Sequence, residues 1–299
     1  MAGLCEGRVA IVTGGARGVG REHCLMLAEH GAKVVVNDLG GDRAGAGQDI
    51  SAAQQVVNEI KAKGGQAVAN GDDVSDWDGA KRMIDQAISA FGKLDAVVLN
   101  AGILRDRMLV NMSEQEWDAV IKVHLKGTFA PARHAAAYWR DQAKAKGGPV
   151  DARIITTTSV SGIYGNIGQT NYGAAKAGIA SFTVIAAREL ARYGITVNSI
   201  SPSAFTRMTE DLRDYTEEDK ETRSPKWIAP VATWLVSEES REITGRVFQA
   251  GNGQFAVAEG WHKGPEAKPV LDPRQAGKIL TELARKARKN AGMNGLDLD

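Results

Sequence analysis

Apolar and polar positions over the first 250 residues fall into two alternating textures. Short, β-branched runs with little polar interruption are each followed by a longer stretch in which apolar residues recur at three- and four-residue spacing. The runs are Arg8–Thr13, Lys33–Asn37, Gln66–Ala69, Leu94–Leu99, Arg153–Thr158, Ile195–Ile200 and Arg246–Gln249. A strand that shows no in-and-out alternation is covered on both faces, so the pattern predicts βαβ units around a parallel sheet. Right-handed crossovers then favour a doubly wound α/β order, 3-2-1-4-5-6 with a seventh strand beyond. Glu114–Ala137 reads as one long helix. Residues 1–263 are expected to form a single domain, and 264–299 a linker and helical appendage.

Composition changes this picture little. The 299 residues are 43% hydrophobic and 24% charged, as in ordinary globular proteins. A formal net charge of +1 calls for neither nucleic acid nor an anionic membrane as partner. Cys5 and Cys24 are the only cysteines, too few for a disulfide framework or a thiolate metal site; they read as small buried hydrophobes in a reducing compartment, and no metal is expected. MAGLCEGRVAIV lacks the basic and apolar regions of an export signal, no long apolar span follows, and the final Leu-Asp-Leu-Asp is not a peroxisomal tripeptide. The chain is therefore read as cytoplasmic.

Candidate chemistry enters after the first run, where Thr13-Gly14-Gly15-Ala16-Arg17-Gly18-Val19-Gly20 leads straight into a helical pattern. Glycines at such a strand-to-helix turn let backbone amides approach a pyrophosphate, which rests on the positive end of the helix. This makes the expected sheet a Rossmann-type nucleotide-binding one. Asp38, at the end of the second run, would accept hydrogen bonds from an adenosine ribose and repel a 2′-phosphate, which favours NAD over NADP. Arg17 pulls the other way, since a cation in the turn could pair with that phosphate. Asp73 could accept from an adenine amino group or, equally, cap the following helix.

A second constellation lies at SVSGIYGNIGQTNYGAAK, residues 159–176. Tyr172 and Lys176 are four apart and share one face of a helix. An ammonium close to a phenol favours the phenolate and makes tyrosine a usable acid or base. Ser159, thirteen residues upstream, carries a hydroxyl that can both donate to and accept from an oxygen changing between alcohol and carbonyl.

Together, TGGARGVG at 13–20, LNAG at 99–102, and Ser159 with Tyr172 and Lys176 resemble the short-chain dehydrogenase/reductase family over roughly residues 6 to 255. NDLGGDRAGAG, AGILRDRM, VHLKGTF and SGIYGNIGQTNYGAAKAG are similar, more narrowly, to the (3R)-hydroxyacyl-CoA dehydrogenase domains of peroxisomal multifunctional enzymes of type 2. The resemblance implies Tyr172 as acid/base, Ser159 as holder of the substrate oxygen, and Lys176 as partner of the nicotinamide ribose that lowers the tyrosine pKa. It implies that Gly14, Gly18, Val19 and Gly20 line the cofactor phosphates, Asp38 the adenosine ribose, Asp73 and Val74 the adenine, and Asn100, Ala101 and Gly102 the nearer ribose. Two positions depart from the wider family. His124 stands where it has asparagine and joins the catalytic set as a proton relay. After strand six the usual Pro-Gly is Pro202-Ser203, and Pro202 is kept as a cofactor contact while Thr206 falls one position early for the family's nicotinamide-contacting threonine.

The resulting expectation is an NAD-dependent oxidoreductase acting at the 3-hydroxy/3-oxo position of an acyl-CoA, within fatty acid or steroid metabolism and as a homodimer or homotetramer. A hydroxysteroid or secondary-alcohol dehydrogenase would use the same residues, and a non-catalytic NAD-binding regulator could share the fold. Arg105 and Arg107, just past strand four, could pair with an anionic substrate group or be tied up by Asp106 or Glu114. In the tail, Asp272-Pro273 signals a helix start, and a narrow apolar stripe predicts a helix over Pro273–Asn290. Its opposite face carries Arg274, Lys278, Arg285, Lys286, Arg288 and Lys289 and reads as solvated. Too short to stand alone, this helix is expected to dock on its own or a neighbouring subunit near the substrate mouth.

Overall fold

The computed structural model describes residues 3–206 and 214–297; the first two residues of the start and the last two of the Leu-Asp-Leu-Asp end lie outside the described residues. Its elements run β1 (Val9–Thr13), α1 (Gly18–Glu29), β2 (Lys33–Asn37), α2 (Ser51–Ala62), β3 (Gln66–Asn70), α3 (Trp77–Phe91), β4 (Ala96–Leu99), α4 (Glu114–Ile121) and α5 (Gly127–Lys146). They continue β5 (Ala152–Thr157), the single turn α6 (Val160–Ile163), α7 (Thr170–Leu190), β6 (Ile195–Ser203), α8 (Glu217–Thr222), α9 (Ala229–Val236), β7 (Val247–Gly251), β8 (Gln254–Ala258) and α10 (Pro273–Lys286).

The strands lie in the order β3-β2-β1-β4-β5-β6-β7-β8. Pairing is parallel through β7, as the run pattern predicts. The expectation of seven strands is corrected to eight, because β8 turns back antiparallel on β7. Asn252 and Gly253 make that return possible: both have positive φ, 53° and 77°, the backbone that a two-residue hairpin requires.

Successive residues of each strand point to opposite layers. In β1, Ala10 and Val12 pack with Val34, Val36, Cys24, Leu27, Ile60 and Leu235, beneath α1, α2 and α9. Val9 and Ile11 pack the other way with Val35, Val97, Met83, Ile84, Trp139 and Ala187, beneath α3, α5 and α7. Both faces being closed, every residue of β1, β4 and β5 is buried. Each large aliphatic side chain so buried contributes roughly 1.5–3 kcal/mol.

The predicted long helix Glu114–Ala137 is instead interrupted. α4, capped by Ser113 and Glu116 in a reciprocal capping box, gives way at Lys122–Lys126 to one π-helical turn before α5 begins. Pro131 has no N–H to donate to the Gly127 carbonyl four residues back, so the first turn of α5 lacks one helical hydrogen bond. Such one-residue expansions gather at functional positions, and this one carries His124.

At the switch between β1 and β4 the two halves of the sheet diverge and leave a crevice at the carboxyl edge. The β2–α2 loop spans it. Leu104 N–H donates to the Arg43 carbonyl at 3.1 Å, Arg105 Nε donates to that of Ala44 at 3.1 Å, and Gly45 lies against Ile103. No helix among the described residues is long and apolar enough to cross a membrane.

Candidate active site

One cleft of about 790 Å³ runs along this edge and is lined by Gly14, Arg17, Gly18, Val19, Asp38, Asp73, Val74, Asn100, Ala101, Gly102, His124, Ser159, Tyr172, Lys176 and Pro202. Of the site residues singled out in the sequence, Gly20, which packs beneath the turn, and Arg107 are absent from its wall, whereas Arg105 is on it. A Cβ on Gly20 would overlap the Gly14 carbonyl oxygen and come within 2.7 Å of Asn100 Nδ2. Gly14 and Gly18 take φ of +63° and +51°, open to glycine and costly for other residues. α1 begins with no capping side chain and no acidic residue in its first turn. Its uncovered amides and the glycine cradle fit a dinucleotide pyrophosphate, which brings what they lack.

Asp38 is fastened at the rim of this cradle. Its Oδ2 accepts from Ala16 N–H at 3.0 Å and its Oδ1 from Gly40 N–H at 2.8 Å, while Arg17 Nη1 donates to the Gly41 carbonyl at 3.2 Å. Asp73 accepts from Ser75 N–H and Oγ, at 2.8 and 2.7 Å. The helix-cap alternative for it is excluded, because α3 is capped by Asp76, which accepts from Gly79 N–H. Asn100 turns inward, its Nδ2 donating to the Thr13 and Gly14 carbonyls at 3.1 and 3.3 Å, and so clamps β4 to the glycine turn. Pro202 sits in β6 beside Ala250, and Thr206, despite its shifted position, comes close to Gly18.

The second constellation converges on the cleft floor. Ser159 ends the extended stretch after β5, its Oγ accepting from Ser161 N–H at 3.1 Å, and its hydroxyl is the group that opposes the rise in the Tyr172 pKa. Lys176, one turn along α7, lies with Nζ 5.5 Å from the centre of the Tyr172 ring and donates to the Thr157 carbonyl at 2.6 Å. The His124 ring stands edge-on to that of Tyr172 at 5.1 Å between centroids. Its Nε2 lies 2.7 Å from the Ile103 carbonyl oxygen, and its Nδ1 is buried without a partner. Gly102 makes room for the imidazole: a Cβ there would overlap the ring.

Burial dominates the electrostatics. It pushes the Tyr172 phenol up to about 12, with the hydrogen bond from Ser159 opposing and Asp106 adding to the rise. It also holds Lys176 down to about 7. The expectation that Lys176 lowers the tyrosine is therefore corrected: burial disfavours charge on both groups. His124 is driven down to about 3, by burial first and then by Lys176.

Neutral histidine is thus built into the fold. Its native pKa lies below the unfolded one, so between the two the unfolded chain binds more protons, and stability falls as pH drops through about 6. His124→Asn should flatten the acid limb of a pH series of unfolding midpoints, recovering about 2 kcal/mol near pH 5. His23, likewise buried and held to about 4, is common to both proteins and cancels in the comparison. An unchanged acid limb would show that His124 carries its proton in the native state.

AGILRDRM and GIYGNIGQTNY, the two stretches that set this chain's resemblance apart from the wider family, are fastened together. Gln169 Nε2 donates to Asp106 at 2.7 Å, Asn171 Nδ2 to the Arg105 carbonyl at 2.9 Å, and Arg107 N–H to the Gly168 carbonyl at 2.9 Å. Arg107 pairs with Glu116, not Asp106 or Glu114, at 3.1 Å. Gln169 and Asn171 carry no catalytic signature in the sequence. Their only visible signal is a polar run just before a helix.

A doubly wound sheet with a glycine-turn nucleotide cradle and a Ser-Tyr-Lys group at its carboxyl edge defines a nicotinamide-dinucleotide-dependent oxidoreductase. The family described as short chain dehydrogenase matches residues 8–218, and the chain belongs to it. A hydroxyacyl-CoA dehydrogenase from Mycobacterium tuberculosis, ChsB1, is 46% identical over 81% of this chain and 77% of its own length. Peroxisomal multifunctional enzyme type 2 of Mus musculus is 45% identical over 83% of this chain, and the match spans only 32% of that longer protein. Only 27% of a peroxisomal hydratase-dehydrogenase-epimerase from Neurospora crassa is matched, at 43% identity. A short chain dehydrogenase from Mycobacterium avium superposes with a TM-score of 0.87 at 51% identity, over 97% of this chain and 98% of that one.

Proposed function

We propose that the protein is an NAD-dependent (3R)-hydroxyacyl-CoA dehydrogenase in which Ser159, Tyr172 and Lys176, with His124 in support, perform the proton chemistry. The observation that carries the reading is the convergence of Ser159, Tyr172 and a buried Lys176 on one cleft, with Lys176 Nζ 5.5 Å from the centre of the Tyr172 ring. A relative named as a hydroxyacyl-CoA dehydrogenase supports the substrate class.

The residues that would hold the cofactor are the glycine turn with Val19, Asp38, Asp73, Val74, Asn100, Ala101, Gly102 and Pro202; when bound, it supplies the hydride acceptor. Ser159 fixes the substrate oxygen through its hydroxyl. Tyr172 Oη takes the proton of the substrate hydroxyl in oxidation and returns it in reduction. A phenol held near 12 rests protonated, and Lys176, held near 7 by burial, can gain or lose a proton close to neutrality. Preference for NAD follows from Asp38, whose carboxylate is fixed by two amides where a 2′-phosphate would meet it, while Arg17 is engaged with the Gly41 carbonyl.

A hydroxysteroid dehydrogenase would use the same three side chains and is separated by rate, not by geometry. Initial rates with NAD and with NADP on a (3R)-hydroxyacyl-CoA, its (3S) isomer and a 17β-hydroxysteroid decide between them. The (3R) thioester with NAD should lead the (3S) isomer by at least about a hundredfold, since a site built to hydrogen-bond a hydroxyl rejects a ligand that leaves it unpaired by about 10⁴–10⁵. A steroid outrunning both thioesters would overturn the substrate class, and faster turnover with NADP would overturn the role given to Asp38. The cytoplasmic location and the homo-oligomeric state belong to the same proposal, as does the division into a domain over 1–263 and a tail over 264–299.

A further inference from the structure

The tail helix α10 ends at Lys286, four residues before the predicted Asn290, where its last acidic partner, Glu282 beside Lys286, gives way to the basic run Arg288-Lys289. It buries no residue. Beyond it the chain folds into a small hook. Ala291 pairs with Asp297, Gly292 N–H donates to the Leu296 carbonyl at 2.8 Å, and Gly295 N–H donates to the Gly292 carbonyl at 2.8 Å.

The hook touches the body at the substrate end of the cleft. Gly295 has φ +78°, and a Cβ built on it would lie 3.2 Å from the Tyr164 hydroxyl oxygen. That hydroxyl accepts from Gln249 Nε2 of β7 at 3.0 Å, and Tyr164 follows Ser159 by five residues on the same connection. Met293, at the hook's tip, lines the cleft that also holds Tyr172 and Gln169. Asp38 and Asp73 follow β2 and β3, across the sheet from β5 and β7, so the hook is remote from the adenosine end.

We propose that Met293 is a specificity-determining residue, the wall against which the apolar part of the substrate lies. This rests on the acyl-thioester reading above. Methionine is suited to such a wall, being apolar and unbranched, with three rotatable bonds that let it follow a flexible alkyl chain. It is 40% exposed and so retains apolar surface for a ligand to cover.

A thiol at this position reports occupancy directly. Cys5 and Cys24 are both fully buried, so Met293→Cys introduces a single accessible thiol among the described residues. With a maleimide as probe, hexadecanoyl-CoA, which lacks the reacting hydroxyl, should slow labelling about tenfold, and butanoyl-CoA by less than about twofold. Adding Gly295→Val, which crowds the hook off Tyr164, should abolish the protection. Labelling that hexadecanoyl-CoA does not slow, or that both thioesters slow equally, overturns the proposal. Protection by the long thioester in a protein whose wild type oxidises no hydroxyacyl-CoA would keep the wall and discard the reaction. Turnover of hydroxyacyl-CoA without protection would do the reverse.

Discussion

Tyr172→Phe should lower kcat by about a thousandfold or more while leaving the affinity for the dinucleotide within a few-fold, the loss expected when a positioned acid/base is removed. The substitution deletes one oxygen. The ring keeps its edge-on contact with His124 and its place above Lys176, so the packing that positions α7 against the cleft survives. What disappears is the phenol that stands beside Lys176 in the cleft that Ser159 also lines. Parallel kinetics and cofactor titration test this, and substantial residual kcat would remove Tyr172 from the proton path.

Gly20→Ala should abolish detectable dinucleotide binding and destabilise the protein by roughly 1–3 kcal/mol, the range for overpacking a closed site. Two effects oppose each other here. Position 20 lies inside α1, where alanine in place of glycine would ordinarily add about 1 kcal/mol of helix propensity. The new methyl, however, would overlap the Gly14 carbonyl oxygen, a backbone atom that cannot rotate away, and press on the Asn100 amide that clamps β4 to the turn. Sterics against backbone outweigh propensity, and the displaced peptide is the one that shapes the phosphate cradle. Denaturant unfolding together with cofactor titration separates the terms. A variant more stable than wild type that still binds the dinucleotide would show that the turn is looser than its glycines imply.

The doubly wound sheet is legible in the sequence because its strands are continuous apolar runs and its glycine turn has a fixed chemical purpose. β8 is not, because Gln254–Ala258 is half-exposed and short; the signal that betrays it is the Asn252-Gly253 hairpin pair. The π turn at Lys122–Lys126 is invisible to a periodicity argument, since one extra residue rotates the later apolar positions without breaking their local spacing. In the site, side chains within one motif are readable, Ser159 with Tyr172 and Lys176 above all. Relations between distant motifs are not. Nothing in AGILRDRM announces that Asp106 will bond Gln169, and nothing in the tail announces that Met293 will reach the cleft, because such contacts are set by packing rather than by local spacing. The sign of the Tyr172 shift is hidden for a related reason. Charge neighbours can be counted along a helix, whereas desolvation depends on everything folded around it.

The β2–α2 loop has a kinetic meaning. It is tied across the crevice by hydrogen bonds from Leu104 to Arg43 and from Arg105 to Ala44, and to the glycine turn by Arg17 to Gly41. Each contributes about 1 kcal/mol net, so an unlatched state would be populated at the level of about one per cent or less. A dinucleotide beneath the loop would therefore be retained between turnovers yet exchange through a local fluctuation, without unfolding of the sheet that carries it. Weakening the latch at Arg105 would shorten residence time and leave the chemical step untouched.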